Sequence, residues 1–225
     1  MSERPRALLA VWFEVQADLD EEFNEWYDRE HLPERELVPG FLSARRFAAA
    51  GQTGVYLALY DLEHVGVLRS PEYLRISGEN ESPWTRRMRR KATRLVRAVY
   101  EQTLPAPGAG VWVLGPHAPL GDPTGAALLS EELYVTDGIR EQVNEWCARG
   151  DVPAELSKPG YRAVRRFRAL EGTPDVLTLY ELASLDVLPG GGREIEGSSQ
   201  GNTIGVMAAS GPLAPQRTLY RQIYP

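Results

Sequence analysis

The sequence predicts an α+β fold made of two tandem ferredoxin-like (βαββαβ) repeats. Three observations support this. Slid on itself by about 120 residues, the chain matches without a gap from Ala7 onward, with roughly 23 of about 62 positions identical. Each copy then runs from a strand-like segment to a helical stripe and on to two further strand-like segments, the split βαβ order. Finally, 225 residues with 43% hydrophobic and 25% charged side chains can bury a core as one large or two small domains.

The elements follow in order. "LLAVWFEV" in the first copy and "LLSEELYV" in the second are strand-like runs that end near aspartate-containing turns. Leu19, Phe23, Trp26 and Tyr27 then share one helical face, as do Ile139, Val143, Trp146 and Cys147. Pro33 and Pro153 should limit these helices, because proline lacks the amide donor. Pro-Gly turns at Pro39 and Pro159 lead into two strands, over residues 41–48 and 55–62 in one copy and 161–168 and 176–182 in the other. Broken helical stretches and a last strand over 93–104 complete the first copy. In the second, "LPGGGREIEGSSQGNTIGV" has too many glycines for a long helix. Residues 95–102 match 219–225 best, at a slightly different offset. Val111 to Leu114 suits an extra strand. The domain organisation expected is 1–115, a linker over 116–125, and 126–225.

Charge and cysteine content exclude several classes. A net charge of −6 gives no footprint for nucleic acid or an anionic membrane. Cys147 is the single cysteine, so no internal disulfide can form, and a reducing, cytoplasmic setting is expected. The first residues lack a signal-peptide cleavage pattern, and no apolar run approaches the ~20 residues of a membrane span. No glycine-rich nucleotide loop, zinc ligand set or nucleophile elbow occurs, so no cofactor is expected.

One segment carries more than fold. The pattern aromatic–Tyr–x–x–Glu–His–x–Pro, followed by Pro-Gly and an Arg-Arg-Phe strand, comprises Trp26, Tyr27, Glu30, His31, Pro33, Pro39, Gly40, Arg45, Arg46 and Phe47. It resembles the EthD-like branch of the dimeric α+β barrel superfamily. The resemblance implies that the two antiparallel sheets pair into a barrel within one chain, a monomeric pseudo-dimer or a homodimer of such units. Helices would lie outside, with pockets between a sheet and its own helices. It also implies a small-molecule substrate. Known reactions include isomerisation, polyketide cyclisation or dehydration, decarboxylation and cofactor-free oxygenation, and some relatives bind haem.

Comparison of the copies singles out candidates for chemistry. Tyr27, Asp28, Glu30 and His31 face Cys147, Ala148, Gly150 and Asp151 in the second copy, so they are free to serve a site there and not the shared fold. His31 follows Phe23 and Tyr27 on one stripe, and imidazole titrates near neutrality, which suits proton transfer. The bland alternative is a histidine capping the helix C-terminus. Glu30 or Asp28 would orient His31, or form surface ion pairs. Asp28 with His31 supplies two metal ligands and no third. Tyr27 and Tyr56 would bind a substrate oxygen, Trp12 would shape an apolar pocket in the first copy, and Arg46 would meet an anion or an internal carboxylate. Tyr60, matched by Tyr180, reads as structural. The basic run 86–94 reads as a solvated helix face. The expectation is a cofactor-independent acid–base enzyme (lyase, isomerase or cyclase) acting on a small apolar carbonyl, aromatic or polyketide-like compound. The alternatives are a non-catalytic ligand-binding or structural barrel, and a haem protein with His31 as axial ligand.

Overall fold

Strand alternation divides the hydrophobic residues between two faces, and that division builds the molecule. The structure is a computed structural model that describes residues 6–135, 152–188, 206–208, 211–213 and 216–224. On strand β1 (Ala7–Glu14), Leu9, Val11 and Phe13 face one core, while Leu8, Ala10 and Trp12 face another. Both sides are covered, so seven of the eight residues are buried.

The remaining strands of the first half are β2 (Phe41–Ala49), β3 (Val55–Leu62) and β4 (Arg94–Leu104). Beyond the short β5 (Val113–Leu114) come β6 (Ala127–Leu133), β7 (Tyr161–Glu171) and β8 (Val176–Leu182). A small hairpin of β9 (Val206–Ala208) and β10 (Gly211–Leu213) precedes β11 (Gln216–Tyr224). The main sheet runs β4-β1-β3-β2-β11-β6-β8-β7, and β4 pairs with β7 to close it. All these pairings are antiparallel, so the result is a closed eight-strand barrel with no free edge within the ring. The extra strand expected near 111–114 is β5, paired to β7 outside the ring.

The two halves share register as well as order. Ala7 pairs with Leu62 on β1–β3, and Ala127 pairs with Leu182 on β6–β8. At the seams, Tyr220 opposes Ala49 and Tyr100 opposes Ala169. Tyr100 and Tyr220 are therefore equivalents about 120 residues apart, and the different offset expected from 95–102 is corrected by the seam register. Gly40 and Gly160 also correspond: each has positive φ, and a Cβ there would lie 2.5 Å or 2.4 Å from Cγ2 of Val67 or Val187. Only glycine fits beneath that valine, which explains why Pro-Gly occurs twice in the sequence.

Ion pairs follow the same relation inside the barrel. Arg45 Nη2 donates to Glu181 Oε1 at 2.7 Å, and Arg165 pairs with Asp61. Trp12 Nε1 donates to Glu132 Oε1 at 3.0 Å. Reciprocal contacts of this kind are what a two-fold relation produces, residue i meeting j and the equivalent of j meeting the equivalent of i.

Helices cover the outer face of β4-β1-β3-β2. They comprise α1 (Asp20–Trp26), a π-helical turn (Tyr27–His31), α2 (Leu32–Glu36), α3 (Pro71–Leu74) and α4 (Pro83–Lys91). Pro33 was expected to limit the first helix, yet the chain stays helical to Glu36. The wide π turn absorbs the missing donor, leaving proline in the first turn of α2, where its N–H is not required. On the opposite half, α5 (Val152–Leu156) packs in a third core with Tyr161, Tyr180 and Leu219. The second copy's helical stripe through Cys147 and most of its glycine-rich stretch lie outside the described residues. Among the described residues, no helix is long and apolar enough to cross a membrane.

Candidate functional site

The outward faces of β1, β3 and β4 form the floor of a cavity of about 260 Å³. Register places Tyr60 beside Leu9, Val11 beside Arg97, and Phe13 beside Leu95, so the floor grades from a phenol through aliphatic groups to an arginine. His31 and Arg35 form one wall, and the cover is Tyr73, Ser77, Gly78 and Glu81 with Arg89 of α4. The cavity thus lies between a sheet and its own helices.

The π turn delivers His31 to it. Inserting one residue into the helical repeat turns both Tyr27 and His31 inward, where they are 1% and 8% exposed. The imidazole packs against Trp26 at 4.3 Å and Tyr27 at 5.0 Å between centroids. Its Nδ1 is buried without a hydrogen-bond partner. Burial, and then the Arg35, Arg89 and Arg46 guanidinium groups, hold its pKa well below the ordinary 6.5. His31 is therefore a neutral imidazole at physiological pH, able to accept a proton, and not the helix-capping cation of the bland alternative.

The other sequence candidates fall in three different places. Asp28 accepts from Arg46 Nη1 at 2.7 Å, and Asn24 Oδ1 accepts from Arg46 Nη2 at 2.8 Å. Asn24 also donates to the Tyr56 hydroxyl at 3.0 Å, and Tyr56 donates to Asp20 at 2.5 Å. Arg46 stacks 4.1 Å over the Tyr27 ring, so Asp28, Arg46 and Tyr56 form a polar network behind Tyr27 and none of the three lines the cavity. Glu30 faces α4: its Oε1 accepts from the hydroxyls of Ser82, the α4 N-cap, and Thr85. Thr85 in turn accepts from Trp26 Nε1 at 3.1 Å. Expected as orienters of His31, both carboxylates are instead engaged elsewhere, Asp28 by Arg46 and Glu30 by the α4 hydroxyls. Trp12, expected at the pocket, faces the barrel interior, since β1 sends only its odd-numbered residues to the cavity.

Several cavity residues were missed in the sequence. Tyr60 was read as structural, yet it lines the floor, and its buried hydroxyl has the Tyr27 hydroxyl beside it. Burial and the neighbouring Tyr27 raise the Tyr60 pKa well above 10, so it is a neutral hydrogen-bond donor. Arg35 lies four residues after His31, the one signal from which its place was predictable. Arg89 belongs to the run read as a solvated face, and it pairs with Glu81 over the cavity.

Haem does not fit these residues. An axial histidine ordinarily donates its second ring nitrogen to an acceptor, and Nδ1 here has none. Among the described residues, no group of three or more His, Cys, Asp or Glu could hold a metal ion.

Solved structures share this architecture along almost the whole chain. An anthrone oxidase-like protein superposes with a TM-score of 0.65 at 11% identity, over 100% of this chain and 94% of its own. The fold is of the dimeric α+β barrel type. A candidate monooxygenase from Fusobacterium nucleatum gives 0.58 at 10% identity, over 97% of this chain and 93% of its own. A candidate chlorite dismutase gives 0.54 at 10% identity, over 97% and 95%. No protein-family model and no curated protein matches the sequence. At such identities the likeness to dimeric α+β barrel structures concerns fold, and function rests on the cavity.

Proposed function

We propose that this chain is a cofactor-independent acid–base enzyme acting on a small carbonyl, aromatic or polyketide-like compound, with His31 as proton acceptor. The observation that carries the reading is a neutral, buried imidazole with an unpartnered nitrogen at the wall of an apolar-floored cavity. A C–H flanked by a carbonyl or phenol would give its proton to His31, and the electron pair would move onto oxygen. The Tyr60 hydroxyl and the Arg35 guanidinium then stabilise that oxyanion, in a setting where few waters compete. Forming the oxyanion beside the arginines also offsets their repulsion of the new imidazolium, so a weakly basic histidine suffices.

Isomerase, lyase and cyclase outcomes all pass through this carbanion. The names of the structural neighbours favour a second outcome, oxygenation. There O2 converts an activated methylene to a carbonyl, one oxygen atom staying in the product and the other leaving as water. The reading also includes a tandem duplication, with an N-terminal repeat (1–115) that holds the site, a linker (116–125) and a structural repeat (126–225), in an EthD-like branch. The matched registers and glycine–valine contacts support it.

The test is deuterium exchange at the acidic carbon of phenolic and β-dicarbonyl compounds, with oxygen uptake recorded alongside. His31→Gln, correctly folded, should slow exchange by about 100- to 10,000-fold. Equal exchange by both proteins would exclude His31 as the base.

A further inference from the structure

We propose that the cavity beside His31 takes a compact apolar compound bearing one carboxylate, which Arg35 and Arg89 hold. This deepens the acid–base reading and rests on it for the place of the reacting carbon.

Three arginines, Arg35, Arg89 and Arg97, line the cavity against a single carboxylate, Glu81. The protein as a whole carries −6, so the positive excess is local. Arg35 is 5% exposed, and one of its donors is used, by Glu34 at 3.0 Å. Glu34 lies outside the cavity, as does Glu171, which approaches Arg97 only to 3.6 Å. Those two carboxylates therefore sit behind Arg35 and Arg97, while Arg89 shares the cavity with its partner Glu81, so three guanidinium groups face one carboxylate there. Burial is the larger cause of the depressed basicity of His31, and Arg35, Arg89 and Arg46 add to it with the same sign of field.

A desolvated guanidinium with spare donors gains most from a planar anion that accepts two parallel hydrogen bonds, which is the geometry of a carboxylate. Leu9, Val11, Phe13 and Leu95 offer the rest of the ligand only apolar surface. A wholly apolar ligand would leave Arg35 desolvated and underbonded. One acidic group on a hydrocarbon or aromatic body matches both halves.

Calorimetry on the full chain at neutral pH and low salt would compare benzoate with benzamide and 1-naphthoate with 1-naphthamide. Each acid should bind at least about tenfold tighter than its amide, and added salt should reduce the difference. Arg35→Gln and, separately, Arg89→Gln should each remove most of that preference. If circular dichroism shows that Arg35→Gln does not fold, the more exposed Arg89 and the salt dependence decide. Acids and amides binding alike, or an acid preference untouched by the Arg89 change, would overturn the proposal. His31→Gln separates the two readings, since it should slow proton exchange by about 100-fold or more and keep the preference for acids. Acid preference without any His31-dependent exchange would leave this assignment standing and remove the acid–base one.

Discussion

Replacing Glu181 with leucine should destabilise the barrel more than any surface change. Glu181 is fully buried; Oε1 accepts from Arg45 at 2.7 Å and Oε2 from the Gly125 amide at 3.2 Å. Removing one partner of a buried pair costs about 3–5 kcal/mol, because the other charge stays buried and unpaired. An orphaned amide adds about 1–3 kcal/mol. Asp61 also acts on Arg45 and compensates in part, so a loss near 4 kcal/mol is expected. For a chain of this length that corresponds to a drop of about 8–16 °C in Tm. The double variant Arg45→Met/Glu181→Leu removes both charges and should recover to within about 1–3 kcal/mol of the parent, the remainder being the Gly125 amide. Urea denaturation followed by tryptophan fluorescence measures all three proteins. A single variant within about 1 kcal/mol of the parent, or a double variant no better than the single, would refute the reasoning.

Three other outcomes follow from the site. Because burial and the nearby arginines depress the His31 pKa, the unfolded chain binds this proton first as pH falls. The His31 contribution is thus complete above about pH 6.5 and is lost below it at about 1.4 kcal/mol per pH unit, until the folded pKa is reached. His31→Gln should lack that component in urea melts between pH 7 and 5. Thr85→Val deprives Trp26 Nε1 of its acceptor and Glu30 of a donor, and should cost about 1–3 kcal/mol by the same melts. Under the proposed function, Tyr60→Phe removes a donor to the oxyanion and should slow carbon-acid exchange by about 100-fold, with little change in stability.

Strand order and pairing within each half were legible because the hydrophobic alternation and Pro-Gly turns recur at matched positions. Closure of the barrel came from the resemblance, since nothing local in β4 or β7 says that they pair. The site was legible in part. His31 stood out because its equivalent is Asp151, but its carboxylate neighbours in sequence are not its neighbours in space. Glu30 adjoins His31 in sequence, yet adjacent helical residues do not face each other, and Asp28 is drawn to Arg46 on β2. Tyr60 was discounted because Tyr180 repeats it, yet a residue that serves the fold in both halves can also line a cavity in one. Arg89 sat in a run whose mean character is that of a solvated helix, while its own place depends on where α4 lies over the sheet.

The central claim is that His31 is a neutral, buried proton acceptor at neutral pH. Long-range 1H–15N correlation spectra distinguish neutral from protonated imidazole at each of the three histidines. Assigned by comparison with His31→Gln, the His31 ring nitrogens should keep the shifts of a neutral ring as the pH falls from 8 through 6.5. An imidazolium signature for His31 at pH 7, or titration at the ordinary value, would contradict the account.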